Sequence, residues 1–220
     1  MVIAKRKPVD EIIETIKSYN SVLLAGCAGC TAVCLAGGMR EVNELKHDLT
    51  KELKKNYGTI TIERQCEMDF LEDLDHLKDQ YDVILSLGCG AGVQLMAERY
   101  RRKPVFPALN TVSIGVNRAI GWYEENCKAC GDCQLAYTGG ICPVASCAKS
   151  IFNGPCGGSE NARCEVDRDI PCAWCAIYDR LKVQNRVENI LSIKEPVQWK
   201  NQMRSTVVQP GYEGRFSDGK

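Results

Sequence analysis

The chain has 220 residues, with 28 lysine or arginine and 28 aspartate or glutamate side chains, so its formal net charge at pH 7 is zero. This balance argues against nucleic-acid binding, which usually requires a positive field. No apolar run reaches the roughly 18 residues of a membrane-spanning helix, and the charged N-terminus lacks the pattern of a secretory signal. We therefore expect a cytoplasmic protein, and in that reducing compartment its 14 cysteines are more often metal ligands than disulfides.

The N-terminal half alternates short apolar runs with amphipathic segments. Strands are predicted at residues 21–26, 59–63, 82–87 and 104–108. Helices are predicted at residues 8–19 and 39–56, in a short segment from Asp69, and from the glycines after the third strand to about Tyr100. This order predicts an α/β domain over residues 1–120, with a small parallel sheet, flanking helices and right-handed crossovers. Apolar periodicity fades over residues 110–126, which we interpret as a connection.

Five cysteines lie at or beyond the ends of the predicted strands: Cys27, Cys30, Cys34, Cys66 and Cys89. Because the carboxyl ends of parallel strands meet at one edge of a sheet, we expect these thiols to converge there. A cubane iron–sulfur cluster needs four thiolates, so the fifth is a spare, a resolving thiol or a ligand of a less regular site. We rank Cys66 last among them. A dinucleotide site is not predicted, because the spacing that starts at Gly88 reaches Val93 where the fingerprint requires glycine.

Residues 121–190 are predicted to form a loop-rich, cysteine-rich metal-binding domain. It opens with a C-x2-C-x2-C run at Cys127, Cys130 and Cys133. Three thiolates from one tight loop are typical of cubane clusters, and Gly131 allows the positive φ that such a loop needs. Further cysteines follow among many glycines and prolines: Cys142, Cys147, Cys156, Cys164, Cys172 and Cys175. The tail, residues 191–220, carries scattered aromatics and is expected to have no fold of its own.

The identity of the metal stays open between iron–sulfur and zinc. A structural zinc site usually takes two C-x2-C pairs, and Cys172 with Cys175 is one candidate pair, with Cys156 and Cys164 supplying the rest. The triplets that begin at Cys127 and at Cys27 suit a cubane better than a tetrahedral ion. Iron–sulfur is therefore the favoured prediction and zinc the alternative.

Several long motifs carry a family resemblance. They are GCAGCTAVCLAGG, RQCE, SLGCGAGVQ, CKACGDCQLAYTGGICPVASCAKSIFNGPCGG, CEV, and CAW with IYDRL. Over residues 20–182 the chain resembles the small metal-binding subunit of acetogen-type methylenetetrahydrofolate reductase, which is similar to the methylenetetrahydrofolate reductase C-terminal domain family. The resemblance implies a partner, the flavin-containing catalytic barrel subunit, which binds folate and carries out the hydride chemistry.

The resemblance also implies two sets of metal ligands. The first is Cys27, Cys30, Cys34, Cys66 and Cys89. The second is Cys127, Cys130, Cys133, Cys142, Cys147, Cys156, Cys164 and Cys172, which are enough for two 4Fe-4S clusters. The family pattern does not require Cys175, so it is a spare.

The expected function is electron transfer. Reduced ferredoxin or another donor would pass electrons through two or three clusters to the flavin of the partner, which reduces methylenetetrahydrofolate to methyltetrahydrofolate. The alternative is a structural subunit in which all-cysteine zinc sites hold the fold together. An enzyme that uses an open iron site as a Lewis acid ranks last, because no acid or base clusters in sequence near those cysteines.

Overall fold

The computed structural model describes residues 1–196, 198 and 204–215, and the chain divides into two compact units, Met1–Asn126 and Cys127–Lys220. The strands are β1 (Val2–Arg6), β2 (Ser21–Cys27), β3 (Asn56–Ile62), β4 (Val83–Ser86), β5 (Val105–Pro107), β6 (Leu109–Ala119) and β7 (Trp122–Cys127). The α-helices are α1 (Val9–Ile16), α2 (Cys30–Val33), α3 (Met39–Glu52), α4 (Gly90–Arg99), α5 (Pro143–Ser146) and α6 (Ala173–Val183). Short 3-10 helices lie at Asp69–Leu74, Lys78–Gln80, Val187–Leu191 and Glu213–Arg215.

A four-stranded parallel sheet is the centre of the first unit. Its strand order is β3-β2-β4-β5, and every neighbouring pair is parallel. In β2, residues 22–27 are all buried, as expected for a central strand covered on both faces. The predicted small parallel sheet is thus confirmed, and all four of its strands were located from the sequence.

Helices cover both faces of this sheet. Because successive side chains of a strand point to opposite faces, Val22 and Leu24 of β2 belong to the cluster that includes residues of α1 and α3. Leu23 and Ala25 belong to the opposite cluster, together with residues of the Asp69–Leu74 turn and of α4. The flanking helices predicted from the sequence are therefore confirmed.

A second sheet was not predicted. Its strand order is β1-β6-β7, with β1 antiparallel to β6. The interpretation of residues 110–126 as a connection is wrong, since they form most of β6 and β7. The apolar residues of β6 alternate, but Val112, Ile114 and Val116 face outward and are exposed. The outward face of β6 is therefore apolar. Because its sequence lacks the usual contrast between a buried apolar face and an exposed polar face, it does not stand out as a strand.

The predicted helix over residues 39–56 ends earlier than expected. α3 stops at Glu52, and Gly58, two residues beyond the predicted end of the helix, lies within β3. A Cβ on Gly58 would lie 2.2 Å from the hydroxyl of Tyr81. This glycine is therefore explained by the close approach of an aromatic side chain and not by a helix terminus.

The second unit contains little regular structure before Cys172. Between Lys128 and Cys172 its helical structure is α5 alone, and after Cys172 come α6 and the turn at Val187–Leu191. Its buried apolar cluster comprises Trp174, Ile177 and Leu181. Within residues 1–196, 198 and 204–215, no helix combines the length and apolar character needed to cross a membrane.

Candidate metal centres

Four cysteines lie at the carboxyl edge of the parallel sheet. Cys27 ends β2, Cys30 begins α2, Cys66 follows β3, and Cys89 caps the start of α4. We call these four the rim cysteines. Cys27 and Cys89 are buried, Cys30 is half-buried and Cys66 is exposed. All four therefore lie in loops or helix starts that follow strands of the parallel sheet, at the edge where ligands of such sheets bind.

Electrostatics also relate the rim cysteines to one another. Although Cys66 is exposed as a residue, partial desolvation of its thiol raises its pKa, and the negative charges of Cys89, Cys27 and Cys30 as thiolates raise it further. Because Coulomb interactions weaken with distance, these contributions indicate that the sulfur of Cys66 lies near those of the other three rim cysteines. Three or more thiolates held together repel one another unless a cation or a cluster offsets their charge.

The four rim sulfurs do not, however, adopt the coordination geometry of a single metal ion. Among the residues that the structure describes, no group of three cysteine, histidine, aspartate or glutamate side chains is arranged to hold a metal ion. The donor set itself fits an iron–sulfur cluster, because every candidate donor at the rim is a thiol and soft thiolates select such clusters. The fit thus rests on donor chemistry and on the shared edge of the sheet.

Cys34 lies one helical turn from Cys30 and belongs to the apolar core that also includes Ala4 of β1. Its sulfur accepts a hydrogen bond from the main-chain nitrogen of Ala4 at 3.4 Å, and its thiol lies 3.7 Å from the carbonyl oxygen of the same residue. Burial raises the pKa of Cys34, with a smaller contribution from Cys30. The structure therefore gives Cys34 a contact with β1 that none of the four rim cysteines shares, while Cys66 is grouped with the rim.

Two buried polar side chains that the sequence analysis missed lie beneath the rim. Gln65 and Ser86 are 1% and 0% exposed. The Ser86 hydroxyl donates to Oε1 of Gln65, and Nε2 of Gln65 donates to the carbonyl oxygen of Ala25 at 2.7 Å. The available signal was a serine within the otherwise apolar run of β4.

In the second unit, four cysteines line one cavity: Cys147, Cys156, Cys164 and Cys172. Lys149 and Glu165 form an ion pair on the wall of the same cavity, and the thiol of Cys156 lies 3.5 Å from Oε1 of Glu165. Cys147 follows the end of α5, Cys156 and Cys164 lie in the segment between α5 and α6, and Cys172 precedes the start of α6. The fold therefore brings together half of the eight cysteines that the resemblance assigns to the second set.

Cys172 and Cys175 interact directly at the start of α6. Burial acts to raise the pKa of Cys172, but hydrogen bonds from Cys175, Trp174 and Ser159 outweigh it and leave the pKa lowered. A hydrogen bond with Ser159 acts to lower the pKa of Cys175, but burial and the bond to Cys172 outweigh it, so that pKa is raised. Neighbouring groups therefore favour the thiolate form of Cys172, which is the form that binds metals.

The C-x2-C-x2-C run forms a tight loop of mostly exposed residues. Gly131 has φ of 83°, which confirms the positive φ predicted for it, and Ala129 also has a positive φ of 51°. The main-chain nitrogen of Ala129 donates to the sulfur of Cys127 at 3.3 Å. Cys142, the remaining member of the second set, caps the start of α5 and precedes Pro143.

The tail contributes no side chain to these thiol clusters among its described residues. Tyr212 is exposed and stacks with Arg215. Trp199 and Phe216, which the sequence analysis counted among the scattered aromatics, lie outside the described residues.

The fold and the thiols together define the class of protein: an α/β unit with cysteines at the carboxyl edge of its sheet, followed by a cysteine-rich unit. Residues 106–200 match the model of a family described as "Methylene-tetrahydrofolate reductase C terminal". No curated protein and no solved structure matches the chain. The family match relates the chain to methylenetetrahydrofolate reductase, in agreement with the resemblance found in the sequence, and its span includes the nine cysteines from Cys127 to Cys175.

Proposed function

We propose that the chain is the electron-transferring iron–sulfur subunit of a methylenetetrahydrofolate reductase complex. The observation that supports this most directly is the family match over a segment with nine cysteines, all of which are free thiols. Free thiols at this density fit metal ligation better than structural disulfides. In this proposal the subunit receives electrons from reduced ferredoxin or another donor and delivers them to the flavin of the catalytic subunit.

The cysteines would hold the clusters in separate groups. The rim cysteines would hold one, and the four thiols that line the cavity of the second unit would hold another. Cys127, Cys130 and Cys133, with Cys142, complete a third group of four. A 4Fe-4S cluster supplies one-electron transfer when bound.

The chain's own residues would tune these sites. At the rim, the buried positions of Cys27 and Cys89 exclude water from one side of the site, and low exposure is one of the factors that set a cluster's reduction potential. In the second unit, hydrogen bonds from Cys175 and Ser159 to Cys172 stabilise its thiolate form. Hydrogen bonds to ligating sulfurs also help to set a cluster's reduction potential, because they change the relative stability of its oxidised and reduced charge states.

The outward face of the β6–β7 hairpin is our candidate for the contact with the catalytic subunit. Val112, Ile114 and Val116 occupy alternate positions of β6 and are exposed, and Ile120 and Trp122 beside them are 88% and 61% exposed. Contiguous exposed apolar side chains mark interaction surfaces in soluble proteins. This hairpin lies within the segment that matches the reductase family, which favours the catalytic subunit as the protein that covers it.

The proposal is tested by the metal content of the anaerobically purified full chain. We expect about eight to twelve irons per chain with matching sulfide, and visible absorption that bleaches with dithionite. Stoichiometric zinc without iron or colour would instead support the structural zinc subunit. That outcome would overturn the electron-transfer function.

A second experiment separates electron delivery from the reductase chemistry. Cys130→Ser should slow turnover of the complex with reduced ferredoxin, because it removes one ligand of a cluster. Turnover with an artificial reductant that reaches the flavin directly should stay unchanged. Unaltered ferredoxin-dependent turnover in Cys130→Ser would contradict a role for that cluster in electron transfer.

A further inference from the structure

We propose that Gln65 is a positioning residue that holds the loops carrying Cys27, Cys66 and Cys89 in one arrangement at the edge of the sheet. The inference rests on the proposed function, because the arrangement it fixes is that of the rim cysteines around a cluster. Gln65 is adjacent to Cys66 in the chain and is 1% exposed. It is one of the few buried polar side chains of the first unit.

The amide of Gln65 joins two neighbouring strands. Its Nε2 donates to the carbonyl oxygen of Ala25 at 2.7 Å, and that oxygen also accepts from the main-chain nitrogen of Leu87 at 2.8 Å. A carbonyl oxygen has two lone pairs, so both are used. The end of β2, the loop that carries Cys66 and the end of β4 therefore meet at one atom.

Ser86 extends the connection to the loop that carries Cys89. Its hydroxyl donates to Oε1 of Gln65 and accepts from the main-chain nitrogen of Gly88 at 3.1 Å. Ser86 is 0% exposed, so water does not substitute for either bond. A continuous series of hydrogen bonds thus runs from β2 through Gln65 and Ser86 to the residue before Cys89.

The backbone at Gly88 and Gly92 also packs closely against the Gln65 side chain. A Cβ on Gly88 would lie 2.2 Å from its Oε1, and a Cβ on Gly92 would lie 2.7 Å from its Cβ. Because Gly88 and Gly92 lack side chains, the loop before Cys89 and the first turn of α4 can approach Gln65 closely. Packing and hydrogen bonding therefore both fix the position of the loop that carries Cys66 relative to the loop that carries Cys89.

An apolar side chain would fill this space at lower desolvation cost than a buried amide. The neighbouring strand positions of this unit are almost all valine, leucine, isoleucine or alanine. What the amide adds is direction, because both its donor and its acceptor have fixed partners. Groups that orient ligating side chains typically change metal affinity by about 10- to 100-fold when they are removed.

The test uses the full chain with reconstituted clusters. Gln65→Leu keeps the volume and removes both amide bonds, and Gln80→Leu is the matched control, because Gln80 is an exposed glutamine of the same unit. The rim cluster is identified by the electron paramagnetic resonance signal that dithionite-reduced wild type shows and Cys66→Ser lacks. Iron release to a chelator and alkylation of Cys66, followed by mass spectrometry, report on the same site.

We expect Gln65→Leu to alter the rim signal and to release rim iron about 10- to 100-fold more readily than wild type, while Gln80→Leu behaves as wild type. If Gln65→Leu fails to fold by circular dichroism, Ser86→Ala carries the same expectation, because it removes the two hydrogen bonds of the Ser86 hydroxyl, to Gln65 and from Gly88, and leaves the bond from Gln65 to Ala25 in place. A wild-type signal and iron release in the folded variant would overturn the inference and leave the proposed function intact. Equal signals from wild type and Cys66→Ser would mean that the rim holds no cluster, which would overturn this inference and the rim cluster of the proposed function, but not the clusters proposed for the second unit.

Discussion

Gly37 lies where two cysteine-bearing loops touch, and we predict that Gly37→Ala separates them. The main-chain nitrogen of Cys27 donates to the carbonyl oxygen of Gly37 at 2.8 Å, which ties the loop after β2 to the strand end. A Cβ on Gly37 would lie 1.9 Å from the carbonyl oxygen of Leu87. Cβ atoms essentially never lie closer than 3.0 Å to another heavy atom of the fold, so the backbone has to move by more than 1 Å.

Overpacking of this kind typically costs about 1–3 kcal/mol. The matched control is Gly90→Ala, because the nearest atom to its Cβ would be Oγ1 of Thr111 at 3.5 Å, an ordinary contact. Gly90 is the first residue of α4, where alanine is at least as favourable as glycine. We therefore expect the control to be neutral or slightly stabilising.

Hydrogen exchange read by mass spectrometry distinguishes the two variants in the intact chain. A loss of about 1–3 kcal/mol corresponds to about 5- to 150-fold faster exchange of the amides in β2, when exchange follows the opening equilibrium. We expect that acceleration in Gly37→Ala and wild-type exchange in Gly90→Ala. Equal protection of β2 in both variants would refute the steric reasoning.

Three further predictions follow from single side chains. Cys66→Ser should lower the iron content of the purified chain while Cys34→Ser should not, because only Cys66 is grouped with the rim; equal iron loss by inductively coupled plasma analysis would contradict that grouping. Tyr100→Phe should cost about 0.5–1.5 kcal/mol in urea unfolding at pH 7, because its buried hydroxyl donates to a main-chain carbonyl. Burial raises the pKa of Tyr100 from 10.0 to about 12, so the unfolded chain loses this proton first, and wild-type stability should fall towards that of the variant as the pH rises from about 10 to about 12; a constant difference would contradict this. Ile120→Asp should reduce copurification with the catalytic subunit and Ile193→Asp should not, although both side chains are 88% exposed, since only the first lies on the hairpin face; equal yields would argue against that face.

The parallel sheet was predictable because its two central strands, β2 and β4, are buried and therefore stand out as short apolar runs. β2 is the clearest example, with every residue from 22 to 27 buried. The β1-β6-β7 sheet was not predictable in the same way. β6 exposes its alternate apolar residues on the outward face, so its sequence lacks the contrast between a buried and a solvated face.

The five-cysteine set of the first unit shows what spacing alone leaves undecided. Cys30 and Cys34 are four residues apart in a short helical turn, and the sequence treats both as candidates. The distinction comes from β1, which pairs its backbone with the sulfur of Cys34. Because β1 was not predicted, the burial of Cys34 could not be foreseen, and Cys66 was ranked below it. Gln65 was missed for a related reason, since its partners Ala25 and Ser86 are distant in sequence.

The two units differ in how much of their stability the polypeptide itself supplies. In the first unit, two apolar clusters sandwich a hydrogen-bonded sheet, so the rim cysteines are attached to a scaffold that does not depend on them. In the second unit the buried apolar cluster is confined to Trp174, Ile177 and Leu181, and the loops between Cys127 and Cys172 pack few apolar side chains. On the proposed function, metal binding there contributes folding free energy directly, as in small domains that are unfolded without metal. The rim would then be a preformed site that tunes its cluster through groups such as Gln65. The second unit would depend on its clusters for its own fold.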